Sequence, residues 1–255
     1  MRHNFVNDIG DYGKYALLRA LCAATSSPIR LGVIWYLTEH AESNGDGRRR
    51  PHLSRDGWSG LDPGLLAGMR QIEHALGDIG ELNLSLIERS PILPSDTVYF
   101  SEAIPDESMS ATQRLRERTA WFERAKKAVT ECNLLFLDPD NGMEVGSVAP
   151  GSRLAAKYAT VSEIAELISS GAGVVLYQHC DRSPWNVQRK RIRQQLVSGV
   201  AKPLFLRSVR FGAFGARAFF CITTNAEIAT AIDSGLQALS QRVVGWEKSH
   251  YLLFE

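Results

Sequence analysis

A three-layer α/β sandwich on a mostly parallel sheet, with an antiparallel strand near the C-terminus, is the fold class this sequence predicts. Three observations predict it. Short apolar runs alternate with amphipathic stretches along most of the chain, the pattern of strands joined by helices that cover both faces of a sheet. The run Leu134 to Leu137 contains no polar residue and stops at Asp138, as a strand buried on both faces does. Finally, the apolar runs at 203–210 and 216–223 are separated only by a turn carrying Gly212 and Gly215, which suits an antiparallel excursion.

Each element follows from its own local pattern. Tyr15, Leu17, Leu18, Ala20 and Leu21 recur at helical spacing and predict a helix over 11–24, and the apolar run 31–37 predicts the first strand. Residues 42–62 carry Glu42, Asn44, Gly45, Asp46, Gly47, Arg48 to Arg50 and Pro51, and read as a polar loop or insertion placed to act as a substrate-side flap. A helix over 63–76, strands over 82–88 and 96–101, and a charged amphipathic helix over 110–131 come next, ahead of the strand at 133–138. Thr160, with Glu163 three residues on, opens a helix over 161–170 in a capping-box pattern. A strand at 172–178, a helix at 184–198, the two strands just named, a helix at 226–241 and a short strand at 249–254 complete the order.

Length and composition bound the answer. At 255 residues and 44% hydrophobic, the chain suits one α/β domain spanning 1–255 with the insertion at about 42–62. A net charge of +1 means that any nucleic-acid affinity must come from a local patch rather than bulk attraction. Cys22, Cys132, Cys180 and Cys221 form no Cys-x-x-Cys pair, so a structural zinc site is not expected and a reducing compartment is. No apolar run reaches the roughly 18 residues of a membrane span, and no basic-then-apolar leader opens the chain, so no membrane contact is expected and the cytoplasm is the expected location.

Two segments carry candidate chemistry. At the end of the strand at 133–138, Asp138, Pro139, Asp140, Asn141 and Gly142 follow one another. Such a cluster makes a turn, yet a turn alone needs no second aspartate. Delivered to the crevice at the carboxyl end of a parallel strand, Asp138, Asp140 and Asn141 would hold an amino group, a metal or a sugar hydroxyl, with Pro139 fixing their backbone. Near the N-terminus, Asp8 and Asp11 are placed to accept from the free N–H groups of a helix start. Lys14 lies three residues after Asp11 on the same helix face, positioned to hold a carboxylate or phosphate.

The set Phe5, Asn7, Asp11, Lys14 and Tyr15 ahead of the first strand, together with Leu137-Asp138-Pro139-Asp140-Asn141 after a later one, resembles the bacterial large-subunit ribosomal RNA adenine-N6 methyltransferases. These are Rossmann-type S-adenosylmethionine enzymes. Where that family has Asp-x-x-Lys-His this chain has Asp11 to Tyr15, and where it has Asp-Pro-Pro-Tyr this chain has Asp138 to Asn141. A glycine-rich turn after the first strand is replaced by Leu37-Thr38-Glu39-His40-Ala41-Glu42. The resemblance implies a Rossmann-like fold and S-adenosylmethionine as cofactor, with Asp11, Lys14, Tyr15, Glu39 and His40 on the cofactor side. It also implies that Asp138 accepts from the target amine, assisted by Asn141 and Asp140, and that the substrate is an amino group of a nucleic acid or nucleotide.

A second cluster, Tyr177 to Arg182, closes the next strand. His179 and Asp181 reach Asp138 if the two strands are neighbours. Beyond them, Trp185 offers a ring for stacking, and Arg182, Arg189, Lys190, Arg191 and Arg193 form a basic helix start. His179, Arg182, Trp185 and Arg189 are therefore the expected substrate contacts, although a solvated helix face accounts for the arginines equally simply. Two other function classes stay open. Asp138, Asp140 and His179, with Asp8 or Asp11, would suit a metal-dependent nuclease or phosphoesterase. A nucleic-acid-binding protein that keeps the scaffold without chemistry is the third.

Overall fold

The computed structural model describes residues 1–23, 28–38, 50–54, 58–79, 82–105, 109–200, 203–212, 215–243 and 251–254. The chain runs through α1 (Ile9–Ala23), β1 (Leu31–Ile34), α2 (Pro51–Ser54), α3 (Pro63–Ile79), α4 (Ser85–Glu88), β2 (Val98–Phe100), α5 (Ala111–Ala128) and β3 (Leu134–Leu137). It continues through β4 (Gly142–Met143), β5 (Tyr158–Ala159), α6 (Val161–Ser169), β6 (Gly173–His179), α7 (Trp185–Gly199), β7 (Phe205–Phe211), β8 (Arg217–Thr223), α8 (Ala226–Val243) and β9 (Tyr251–Phe254).

Seven strands form one sheet in the order β2-β1-β3-β6-β8-β7-β9, and β4 pairs with β5 beside it. β2, β1, β3 and β6 are parallel, whereas β8 is antiparallel to both β6 and β7, and β9 is antiparallel to β7. Five strands thus share one direction and two oppose it, one more than the sequence led us to expect. The architecture is a Rossmann-like three-layer sandwich.

The strands alternate as a sheet covered on both faces requires. Val33, Phe136, Val175 and Phe219 pack with Leu17 of α1, Leu65 of α3 and Ile232 of α8, while Ile34, Leu135, Leu176 and Phe220 pack with Trp121 of α5, Ile164 of α6 and Ile192 of α7. The capping box that opens α6 is formed in both directions between Thr160 and Glu163.

One expected strand is absent. Residues 82–88 alternate in polarity, but Asn83 Oδ1 accepts from the Ser85 N–H and the segment closes into α4, burying Leu84 and Ile87 at helical spacing. Of the expected flap, residues 42–49 and 55–57 lie outside the described residues, while α2 and the buried Trp58 pack near α1. Among the described residues no helix is long and apolar enough to cross a membrane.

The topology fixes where a site belongs. From β1 the chain moves to β2 on one side, then returns to place β3 on the other. Connections reverse at β1 and β3, so a crevice opens at the carboxyl ends of these strands.

Candidate active site

A cleft of about 390 Å³ occupies that position, within the range of small-molecule sites. Its walls come from the N-terminal segment (Met1, Arg2, Phe5), the first turns of α1 (Asp8, Gly10, Asp11, Lys14), the strand end Asp138 to Asn141, Lys157, Tyr177 and His179 of β6, and Gly215 with Arg217 at the start of β8. Segments distant in sequence meet here because β3, β6 and β8 are successive neighbours in the sheet.

At the floor lies a buried charge triad. Lys14 Nζ donates to Asp138 Oδ2 at 2.7 Å and to Asp11 Oδ1 at 2.8 Å, and all three side chains are nearly inaccessible. Burial opposes the lysine charge, but Asp11 and Asp138 outweigh it and push its pKa up. Burial also lifts the Asp11 carboxyl to about 6, against the pull of Lys14. The second oxygen of Asp11 accepts from the Asn7 N–H at 2.9 Å, and Asn7 adopts a left-handed φ of 66° to present it. For Asp138 Oδ1 no hydrogen bond exists among the described residues, and Asp138 lines the cleft.

Asp140 has a separate set of partners. Its Oδ1 lies 2.9 Å from the Met1 amino nitrogen, its Oδ2 lies 3.2 Å from Arg2 Nε, and Thr38 Oγ1 donates to Oδ2 at 3.3 Å. Burial works against the Asp140 charge, yet the amino group and Arg2 prevail and hold the carboxyl below its usual range. The Met1 nitrogen also donates to the carbonyls of Asp138 and Tyr36.

The backbone of the motif is gripped from three sides. The Asn141 N–H donates to the Lys157 carbonyl, and the Asn141 carbonyl accepts from the His179 N–H and from Gln178 Nε2. Gln178 Oε1 in turn accepts from the Met143 N–H. Gly142 between them has a φ of +110°, and a Cβ there would stand 2.3 Å from Gln178 Oε1. Only glycine fits this turn. The Asn141 side chain points no hydrogen bond at a described residue, leaving its amide for a ligand on the cleft wall.

Behind this wall sits a further buried ion pair, one that sequence reasoning missed. Arg118 of α5 grips Glu163 through Nε at 2.8 Å and Nη2 at 2.9 Å, and donates to the carbonyls of Ala155 and Tyr158 on either side of Lys157. Glu163 also accepts from the Tyr36 hydroxyl, and Tyr36 has a left-handed φ of 48° just past β1. The capping-box pattern identified Glu163, but nothing local in sequence signalled its distant partners.

The remaining expected residues are distributed as follows. Asp11, Lys14, Asp138, Asp140, Asn141 and His179 line the one cleft. Tyr15 does not: it is fully buried in the core beneath the triad, its ring centroid 5.5 Å from Lys14 Nζ, because it falls on the inner face of α1. Glu39 and His40 lie outside the described residues. Trp185 packs on Phe220 with ring centroids 6.0 Å apart, and Arg182, Trp185 and Arg189 are absent from the cleft wall because α7 turns away from it after β6. Asp181 pairs with Arg191 at the surface.

No family model matches the chain, and no curated protein matches it either. The chemistry must be read from the cleft itself. Asp138 and Asp140 each already face a cation, Lys14 in one case and Arg2 with the Met1 amino group in the other. Among the described residues no group of three or more histidine, cysteine or acidic side chains is arranged to hold a metal ion. The arrangement favours a carboxylate that accepts from a ligand's N–H groups over a pair of carboxylates converging on a metal.

Proposed function

We propose that this protein is an S-adenosylmethionine-dependent methyltransferase acting on an amino group of a nucleic acid or nucleotide. The observation that carries the reading is the placement of Asp138. It sits at the carboxyl end of β3, at the reversal point of the sheet, with one oxygen fixed by Lys14 and the other toward the cleft. The cleft volume and the Rossmann-like sheet fit the cofactor class that the resemblance of the two motifs implies.

When bound, S-adenosylmethionine would supply an electrophilic methyl group on a sulfonium; its transfer to an amine nitrogen would break the S–CH₃ bond, leave neutral S-adenosylhomocysteine and pass the amine proton to solvent water. The protein's part is orientation. Asp138 Oδ1 accepts one N–H of the amine, which turns the nitrogen lone pair along a fixed direction. In this reading the Asn141 side-chain oxygen accepts the second N–H. Lys14 fixes the rotamer of Asp138, so the acceptor needs no reorganisation as positive charge develops on nitrogen. The grip of Gln178, His179 and Lys157 on the Asn141 backbone keeps both acceptors on one wall.

Transfer of a labelled methyl group to adenine- and cytosine-containing RNA, DNA and mononucleotides tests this. Wild type should label one of them, and Asp138→Asn should lose at least about a hundredfold in rate while retaining cofactor binding. Full activity in Asp138→Asn would remove Asp138 from the centre of the reaction.

A further inference from the structure

We propose that the cleft contains an oxyanion subsite anchored by Arg2, which takes a phosphate or carboxylate of the bound molecule. The inference rests on the methyltransferase reading and deepens it by naming the charge that a ligand of this cleft carries.

The sequence points to Lys14 as the holder of a ligand anion, but Asp11, Asp138 and the Met1 sulfur already face its three N–H groups. The start of α1 is closed to anions as well, because Asp8 Oδ1 takes the Gly10 N–H and Asp11 Oδ2 takes the Asn7 N–H. Arg2 differs. Its side chain is only 9% exposed, it lines the cleft, and its Nε and Nη1 are buried without a hydrogen-bond acceptor among the described residues. Asp140 Oδ2, 3.2 Å from Nε, balances the charge without closing a hydrogen bond.

The guanidinium is also held in place, with its central carbon 4.5 Å above the centre of the Phe5 ring. A pre-oriented guanidinium with unmade donors suits an oxygen of a carboxylate or phosphate. Lys157 and Arg217 add positive charge to the same cleft. Native proteins rarely leave buried donors unmatched, so an acceptor supplied by a ligand is the natural completion of this site.

The oxyanion has two possible sources: the phosphate of a nucleotide substrate or the carboxylate of the cofactor's amino-acid part. Calorimetric titration separates them by comparing AMP with adenosine, and S-adenosylhomocysteine with its decarboxylated form, on wild type, Arg2→Gln and Arg2→Lys. In at least one pair the anionic member should bind wild type about 10- to 100-fold more tightly, Arg2→Gln should erase the difference, and Arg2→Lys should keep part of it. The responding pair identifies the source. Equal affinities within both pairs, or a preference that survives Arg2→Gln, overturn the subsite while leaving the methyltransferase reading intact if S-adenosylhomocysteine binds. An Arg2-dependent preference for AMP without any S-adenosylhomocysteine binding keeps the subsite and rejects that reading. Binding of none of the four ligands overturns both.

Discussion

Lys14 on α1 and Asp138 at the end of β3 are 124 residues apart in sequence and 2.7 Å apart in space, joined in a buried ion pair at the floor of the cleft. This contact ties the N-terminal helix to the strand that carries the candidate acceptor. It also explains why the two polar segments belong to one site. Asp11 completes the triad from the same helix face as Lys14.

Lys14→Met should be strongly destabilising. Two carboxylates would remain buried without their cation, and breaking a buried pair in this way costs about 3–5 kcal/mol. Urea denaturation measures it. Pairing the change with Asp11→Asn should recover part of the loss, because one of the two orphaned charges is then gone.

Asp11 should make stability depend on pH in the direction opposite to an ordinary salt-bridged carboxylate. Its pKa is raised from 3.8 to about 6 on folding, so the folded state holds the extra proton between those values. The resulting stabilisation is fully present below pH 3.8 and disappears as pH rises through about 6. Asp140, held below its usual range, acts the other way: its contribution is present above the ordinary carboxylate range and disappears on acidification. Comparing the unfolding free energy of wild type with Asp11→Asn across pH 4 to 7, on the order of one measurement per half unit, isolates the first effect, and the slope difference should vanish above the Asp11 transition.

Gly142→Ala should lose at least about 2 kcal/mol, combining the strain of a positive φ with the overlap against Gln178. Hydrogen exchange should show the Asn141 and Met143 amides losing protection together, since their partners belong to the same bracket. A stable variant with both amides still protected would contradict the bracket.

Arg118→Met should cost about 3–5 kcal/mol by leaving Glu163 buried and unpaired. Because Arg118 also holds the carbonyls of Ala155 and Tyr158, hydrogen exchange should report loosening around Lys157 as well as in α6. Loss confined to α6 would separate the ion pair from the cleft wall.

Local signals carried most of the fold. Thr160 and Glu163 announced α6, the unbroken run Leu134 to Leu137 announced β3, and the Gly212–Gly215 turn announced the β7–β8 reversal. Residues 82–88 misled because Leu84, Leu86 and Ile87 suit either period over so short a span, and the side chain of Asn83 decided for a helical turn. In the site, Asp11 and Lys14 were legible as neighbours because they are three apart on one helix. That Lys14 would be consumed by Asp138, that Tyr15 would face the core, and that Arg118 and Gln178 would brace the motif all depend on long-range packing. Arg118 and Gln178 look in sequence like any surface polar residue; only burial distinguishes them.

The most direct test of the methyltransferase account is a thermal-unfolding titration with S-adenosylmethionine, first in chelator and then with manganese. A cofactor that binds only the folded state should add about 2.7 kcal/mol at 100 times its dissociation constant. The account predicts that stabilisation in chelator, unchanged by manganese. No response to the cofactor, with a shift on manganese alone, would contradict it and direct attention to metal-dependent hydrolysis at Asp138, Asp140 and His179.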